Sequence, residues 1–138
     1  LSFKPFSIPH DAANPCGFNI FHDHEKMSVA TDLGHITEDI MHNLEKSKFI
    51  LLEANYDPDI LKYSKYPFSL KQRIAGPNGH LSNNNSGKII SKLIKQFPRA
   101  CIQNSSRTDN RKSFWRKRCK SWCGKERWTK QANRNSLK

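Results

Sequence analysis

The sequence has no long apolar run. Nothing in it approaches the roughly 18–20 consecutive apolar residues that cross a bilayer, so no membrane partner is expected. It also lacks the opening of an exported chain, because Leu1 to His10 has no basic start followed by an apolar stretch. The first residue is Leu and not Met, so a missing upstream part is expected. Hydrophobic residues are scarce, at 36% of the chain. Cysteine is limited to Cys16, Cys101, Cys119 and Cys123. Without an export signal these thiols point to a reducing compartment, hence a cytoplasmic protein, and away from a small secreted disulfide fold. No internal repeat is visible.

Acidic residues are short too, 12 against 24 Lys and Arg, for a formal charge of +12. The shortage is local. Residues 98–138 hold 13 Lys and Arg against Asp109 and Glu126, whereas residues 1–97 hold 11 against 10 acids. A uniformly basic protein would suggest a nucleic-acid binder. Here nearly all the excess sits in one terminal segment. All three Trp (Trp115, Trp122, Trp128) lie there as well, and hydrophobic periodicity disappears from Pro98. The chain therefore divides into residues 1–97, which have the pattern of a folded domain, and a basic tail over 98–138.

Residues 1–97 alternate between β and α patterns. Leu1 to Ile8 is apolar-rich, and Pro5 and Pro9 restrict it to an edge strand or extended segment. Gly17 to Phe21 and Met27 to Thr31 read as strands joined by the polar turn His22–Lys26. Thr37 is a helix N-cap, with Glu38 and Asp39 in the first turn and Ile36 and Met41 at staple spacing. Phe49 to Leu52 is a short apolar run typical of a strand buried on both faces. Pro58 to Tyr63 and Pro67 to Ile74 suggest short helices. Pro77-Asn78-Gly79 is a turn. Ile89, Ile90, Leu93, Ile94 and Phe97 then form one helical stripe, with Ser82 as its N-cap.

Polar residues end the apolar strands. His10 opens the loop after the first extended segment, a natural position for a metal ligand. Asp32 ends the strand before it and precedes a Gly turn. A carboxylate there is costly unless a cation or hydrogen-bond donors meet it, and one carboxylate can bridge two cations. The ordinary alternatives are a surface loop His and an Asp that caps a turn. Glu53 ends the Phe49–Leu52 run, and His80 follows the Gly79 turn. Together a Glu and a His can orient a proton. Three strand ends carrying His10, Asp32 and Glu53 suggest one active edge. Two other sets are decoys. His22-Asp23-His24 lies in a charged hairpin turn. Cys119 and Cys123 lack the second ligand pair of a structural zinc site.

Five motifs, in order, resemble one family: His-Asp-Ala-x-x-Pro-x-Gly from His10, Thr-Asp-x-Gly from Thr31, Glu-x-Asn-x-Asp from Glu53, Tyr-Pro-x-Ser-Leu-Lys-x-Arg-Ile from Tyr66, and Gly-His-Leu-Ser-Asn from Gly79. Residues 1 to about 97 look like the C-terminal half of a metallo-β-lactamase-fold hydrolase. The most similar branch is the bacterial DNA exonuclease-like one associated with a cell-wall two-component system. The resemblance implies an α+β fold, a partial metallo-β-lactamase αββα sandwich with an irregular basic tail. It implies two divalent metal ions, Zn or Mn, in the intact parent, with His10 and Asp32 as ligands and Asp32 bridging. It implies a catalytic pair, Glu53 and His80, for proton transfer. The implied reaction is hydrolysis of nucleic-acid phosphodiesters by a metal-activated hydroxide. Tyr56 stands where the family more often has His. The family's main His-x-His-x-Asp-His cluster would lie upstream of Leu1. Its last ligand His should sit on a strand near Arg99, yet no His follows His80. The fragment alone is therefore expected to be inactive.

The break at Pro98 suggests a segment read out of frame from about residue 96. The competing explanation is a basic, Trp-bearing arm that binds phosphates and stacks on bases. Either way, the tail is expected to pack poorly. Two further functions compete with the nuclease: a nucleic-acid-binding protein acting through this arm, and a hydrolase of small-molecule esters on the same fold.

Overall fold

The structure, a computed structural model, describes residues 1–105. Nine elements run in order: β1 (Ser2–Ser7), β2 (Cys16–His22), β3 (Glu25–Ala30), α1 (Glu38–Leu44), β4 (Phe49–Glu53), α2 (Pro58–Tyr63), α3 (Phe68–Ala75), α4 (Asn83–Gln96) and β5 (Cys101–Ser105). The strands form one sheet in the order β1-β2-β3-β4-β5. β1, β2 and β3 are an antiparallel meander, and β4 and β5 add in parallel. Parallel neighbours need a crossover. α1 makes the first, and α2, α3 and α4 make the second. The α+β expectation holds.

Each helix start follows from its cap. Thr37 Oγ1 accepts from Ile40 N, Ser82 Oγ from Asn85 N, and Asp57 Oδ1 from both Asp59 N and Ile60 N. Each satisfies an amide that the helix cannot. Pro58 occupies the first turn of α2, where its missing N–H costs nothing. Pro5 sits in β1, an edge strand, where a missing donor is tolerated.

The core lies on one face of the sheet. Ile40 and Leu44 of α1 and Ile90 and Leu93 of α4 cluster with Phe6, Ala30, Ile50 and Leu52 of the strands. Burying each such side chain contributes roughly 1.5–3 kcal/mol. Ile36 and Met41, the staple pair, pack against the same cluster. Gly17 is needed under Phe6, because a Cβ there would lie 2.4 Å from the Phe6 ring. Farther along this face is a polar island. Ser28 Oγ contacts Asn19 Oδ1 and Ser47 Oγ, each at 2.6 Å, and Asn19 Nδ2 donates to Asn43 Oδ1.

The other face is also apolar. Phe3 pairs with Ile20, Ile20 with Met27, and Met27 with Phe49, while Phe18 pairs with Val29 and Val29 with Leu51. Phe3, Phe18 and Met27 are exposed.

One expectation needs correction. The sheet continues past Pro98. β5 pairs with β4 over Cys101–Ser105, with Cys101 N donating to Lys48 O at 2.9 Å, and Ile102 packs against the core. Poor packing from Pro98 onward therefore does not describe these residues. A strand beside a buried neighbour gains ladder hydrogen bonds that its own composition does not reveal. The rest of the basic tail, with its three Trp, Cys119 and Cys123, lies outside the described residues. Among the described residues no disulfide forms, and no helix is long and apolar enough to cross a membrane.

Candidate metal centre

Three loops meet at the ends of β1, β3 and α3, and backbone bonds tie them together. Gly34 N donates to Pro9 O, Asp11 N to Asn78 O, and His80 N to Ile74 O, each at 2.9 Å. Gly34 and Gly79 make this possible. A Cβ on Gly34 would sit 2.0 Å from Pro77 O, and one on Gly79 would sit 2.2 Å from Arg73 O. Both contacts are with backbone, which cannot yield as a flexible side chain would.

The loops carry His10, Asp32 and His80. One ligand atom from each lies within 4.8 Å of the others, the only such group of three or more metal-ligating side chains among the described residues. The His10 and His80 rings are tilted against each other, with centroids 5.1 Å apart. Asp32 has φ 56, the left-handed region. For a non-glycine residue that conformation costs about 1–3 kcal/mol, and it persists where the surroundings impose it. Here the next residue supplies the constraint. Leu33 is fully buried, and its N–H donates to Glu53 Oε2 at 3.0 Å.

Glu53 is the hub. Its side chain is 3% exposed, and it accepts four hydrogen bonds. Oε2 receives Leu33 N and Leu81 N, and Oε1 receives Asn55 Nδ2 and His80 Nδ1, the last at 2.8 Å. These bonds fill the acceptor sites of a carboxylate and offset its burial. Both imidazoles are held through Nδ1. His80 Nδ1 donates to Glu53, and His10 Nδ1 donates to Gly79 O at 2.9 Å. With Nδ1 so engaged, Nε2 is the nitrogen each ring could offer to a metal, and that of His10 lies 3.5 Å from Asp11 Oδ1. His80 Nδ1 is also 3.7 Å from Asp32 Oδ1.

Beside the cluster, Arg73 of α3 pairs with Asp11. The hydrogen bond from Arg73 holds the Asp11 carboxyl below its ordinary range, and Asp11 holds the guanidinium above its own. Next to it runs a groove of about 580 Å³, with His10 and His80 in its wall and Tyr56, Ile60, Tyr66 and Leu70 among its other lining residues. Burial pushes the Tyr56 hydroxyl above its ordinary range.

All four residues expected from the sequence therefore converge. His80 joins His10 and Asp32, and Glu53 stands behind His80. The decoy His22 is exposed and contacts Asp23 at the β2–β3 turn. The sequence reading missed the Arg73–Asp11 pair, whose members are far apart in the chain and whose only signal is opposite charge. β5 stands where the resemblance expects the last ligand strand, but its end carries Asn104 and Ser105 in place of His, with Ser105 beside Glu53. Three donors can hold one divalent ion and leave coordination positions open. They do not suffice for two.

No protein-family model matches the chain. It is similar to exodeoxyribonuclease YycJ of Bacillus anthracis, 26% identical over 94 residues, which is 68% of this chain and 36% of the relative. It is 30% identical over 94 residues to exodeoxyribonuclease WalJ of Streptococcus pneumoniae serotype 2 (strain D39), covering 68% of this chain and 35% of the relative. The WalJ of strain R6 matches equally. The chain spans about a third of the length of the curated relatives it matches.

Proposed function

We propose that residues 1–105 form part of a metal-dependent nuclease that hydrolyses phosphodiesters at the end of a DNA strand. The observation that carries this reading is the grouping of His10, Asp32 and His80, with one ligand atom of each within 4.8 Å of the others. Two imidazoles and a carboxylate are a donor set suited to a divalent cation. The names of the relatives supply the substrate class.

In this reading His10, Asp32 and His80 hold one divalent ion, Zn or Mn. A bound ion would supply Lewis acidity toward a phosphoryl oxygen and lower the pKa of water. Glu53 keeps His80 in the binding tautomer and orientation. The 2.8 Å Glu53–His80 bond also favours a second reading, in which the pair passes a proton at the scissile phosphate and His80 is not a ligand. A second ion would need ligands beyond the described residues, so residues 1–105 by themselves are expected to bind metal without sustaining turnover. Substrate hydrolysis belongs to a longer parent, working on nucleic acid in the cytoplasm.

The test is metal binding, followed by calorimetry or equilibrium dialysis with Mn and Zn. The expected result is one ion per chain. His10→Gln and Asp32→Asn should each weaken it by at least about tenfold, since even changes behind a ligand cost about 10–100-fold. His80→Gln should do the same if His80 is a ligand, and leave affinity unchanged if it only moves a proton. Equal binding by the unsubstituted chain and the His10→Gln, Asp32→Asn double variant would remove the metal-centre reading.

A further inference from the structure

The groove beside the candidate metal centre lies between the His10 and Gly79–His80 loops and the α2–α3 segment. Its volume of about 580 Å³ falls within the range of about 300–1,000 Å³ typical of small-ligand sites. Three of its lining residues are large apolar or aromatic groups left open to solvent: Ile60 at 65%, Tyr66 at 55% and Leu70 at 36%. Tyr63 and Phe68 on the same helices are more exposed still. Short helices that expose so much aromatic surface bury little of it in the core. Among α2 and α3, only Leu61 is buried.

Charge on these elements is uneven. Lys62, Lys65, Lys71 and Arg73 outnumber Asp57 and Asp59. Asp57 is engaged in capping α2, and Arg73 in holding Asp11. Lys71 Nζ donates to Lys62 O at 2.8 Å and Lys62 Nζ lies 5.3 Å from the Tyr63 ring centroid, so the three lysines put positive charge on the segment beside the groove and not in its wall. The Arg73–Asp11 pair pins α3 next to His10, so the groove wall and the metal centre are placed by the same contact.

We infer that this groove seats the terminal bases of a single-stranded DNA, with Tyr66 as the stacking face and the lysines of α2–α3 along the phosphates. The inference rests on the nuclease reading and adds to it a path for the strand into the centre. An aromatic ring stacks on any base, and lysines follow a backbone without reading sequence, so the groove would take DNA ends irrespective of sequence. Ile60 and Leu70 offer the apolar contact that a flat base needs on its other side.

The test uses the full chain and a short oligothymidylate carrying 5-iodouracil at its end. Irradiation links the base to a neighbouring aromatic ring, and mass spectrometry locates the link. The link is expected on Tyr66 or Tyr56. Tyr66→Ala, at an exposed position, should fold normally and weaken binding at least about fivefold, from the roughly 1–3 kcal/mol that one stacked base contributes. It should leave metal affinity unchanged. Links confined to residues 106–138, with Tyr66→Ala binding as tightly as the parent, overturn the inference. The two failures are distinguishable: absence of metal binding by the unsubstituted chain removes the nuclease reading whatever Tyr66→Ala does, and absence of the Tyr66 effect removes the groove while metal binding stands.

Discussion

Glu53 does more at one position than any other side chain described. It joins the turn after β3, through Leu33 N, to the loop before α4, through Leu81 N, and it orients His80. Glu53→Gln keeps the shape but replaces one accepting oxygen with a donating amide. One of the buried amides, or His80, then faces a donor. The expected loss is about 1–3 kcal/mol of stability, the cost of a buried unsatisfied group, read by urea unfolding. A change below a few tenths would mean that water replaces the lost acceptor. His10, Asp32, Glu53 and His80 were legible in the sequence because each is a polar residue at the end of an apolar run or Gly turn. The role of Glu53 was not. Two of its four partners are main-chain amides, which every residue carries and no motif marks. Asp32 was legible as a candidate ligand, but its left-handed backbone follows from Leu33 being anchored in the core, a tertiary fact.

At the scale of elements, α4 shows how a local signal sets a boundary. Ser82 caps it, and Ser86, Ile90 and Leu93 are buried at helical spacing. Ser82 also lies beside Tyr56 in an isolated bridge, and Asn83 N donates to Tyr56 O. The cap thus fixes both the helix and the loop carrying His80. Ser82→Ala should cost about 1 kcal/mol, measured as a lower unfolding midpoint in urea with an unchanged slope. An unchanged midpoint would mean that the bridge alone holds the helix start. Caps, staples and Pro positions carry information within a few residues, so the starts of α1, α2 and α4 were readable to the residue, whereas α1 ends at Leu44, short of the Lys46–Lys48 end its basic residues suggest. β5 was not. Cys-Ile-Gln-Asn-Ser has weak alternation and follows a break in composition, and only its pairing with β4 makes it a strand.

For the molecule as a whole, the unequal treatment of the two sheet faces matters most. One face carries the helices. The other presents Phe3, Phe18 and Met27 to solvent, with Ile20, Val29, Phe49 and Leu51 half-buried around them. A contiguous apolar patch of this kind binds hydrophobic probes. The native chain should enhance anilinonaphthalene sulfonate fluorescence, and Phe18→Lys with Met27→Lys should abolish most of that signal without lowering stability. An equal signal from the double variant would place the dye elsewhere. In the sequence this face was half visible. The apolar run of β4 marked a strand apolar on both sides, but no local pattern says which side the helices choose.

The strand order has a consequence for how the chain comes into being. Every strand in the sheet lies beside the one synthesised just before it. Within residues 1–105 each strand emerging from the ribosome therefore has its pairing partner already made. The meander closes first, over short turns. The β4–β5 closure comes last and spans three helices, so it carries the largest loop entropy and should set the folding rate. His10, Asp32, Glu53 and His80 all precede that step. The cluster can be gathered while β5 is still being made, so its assembly does not wait on the slowest closure among the described residues.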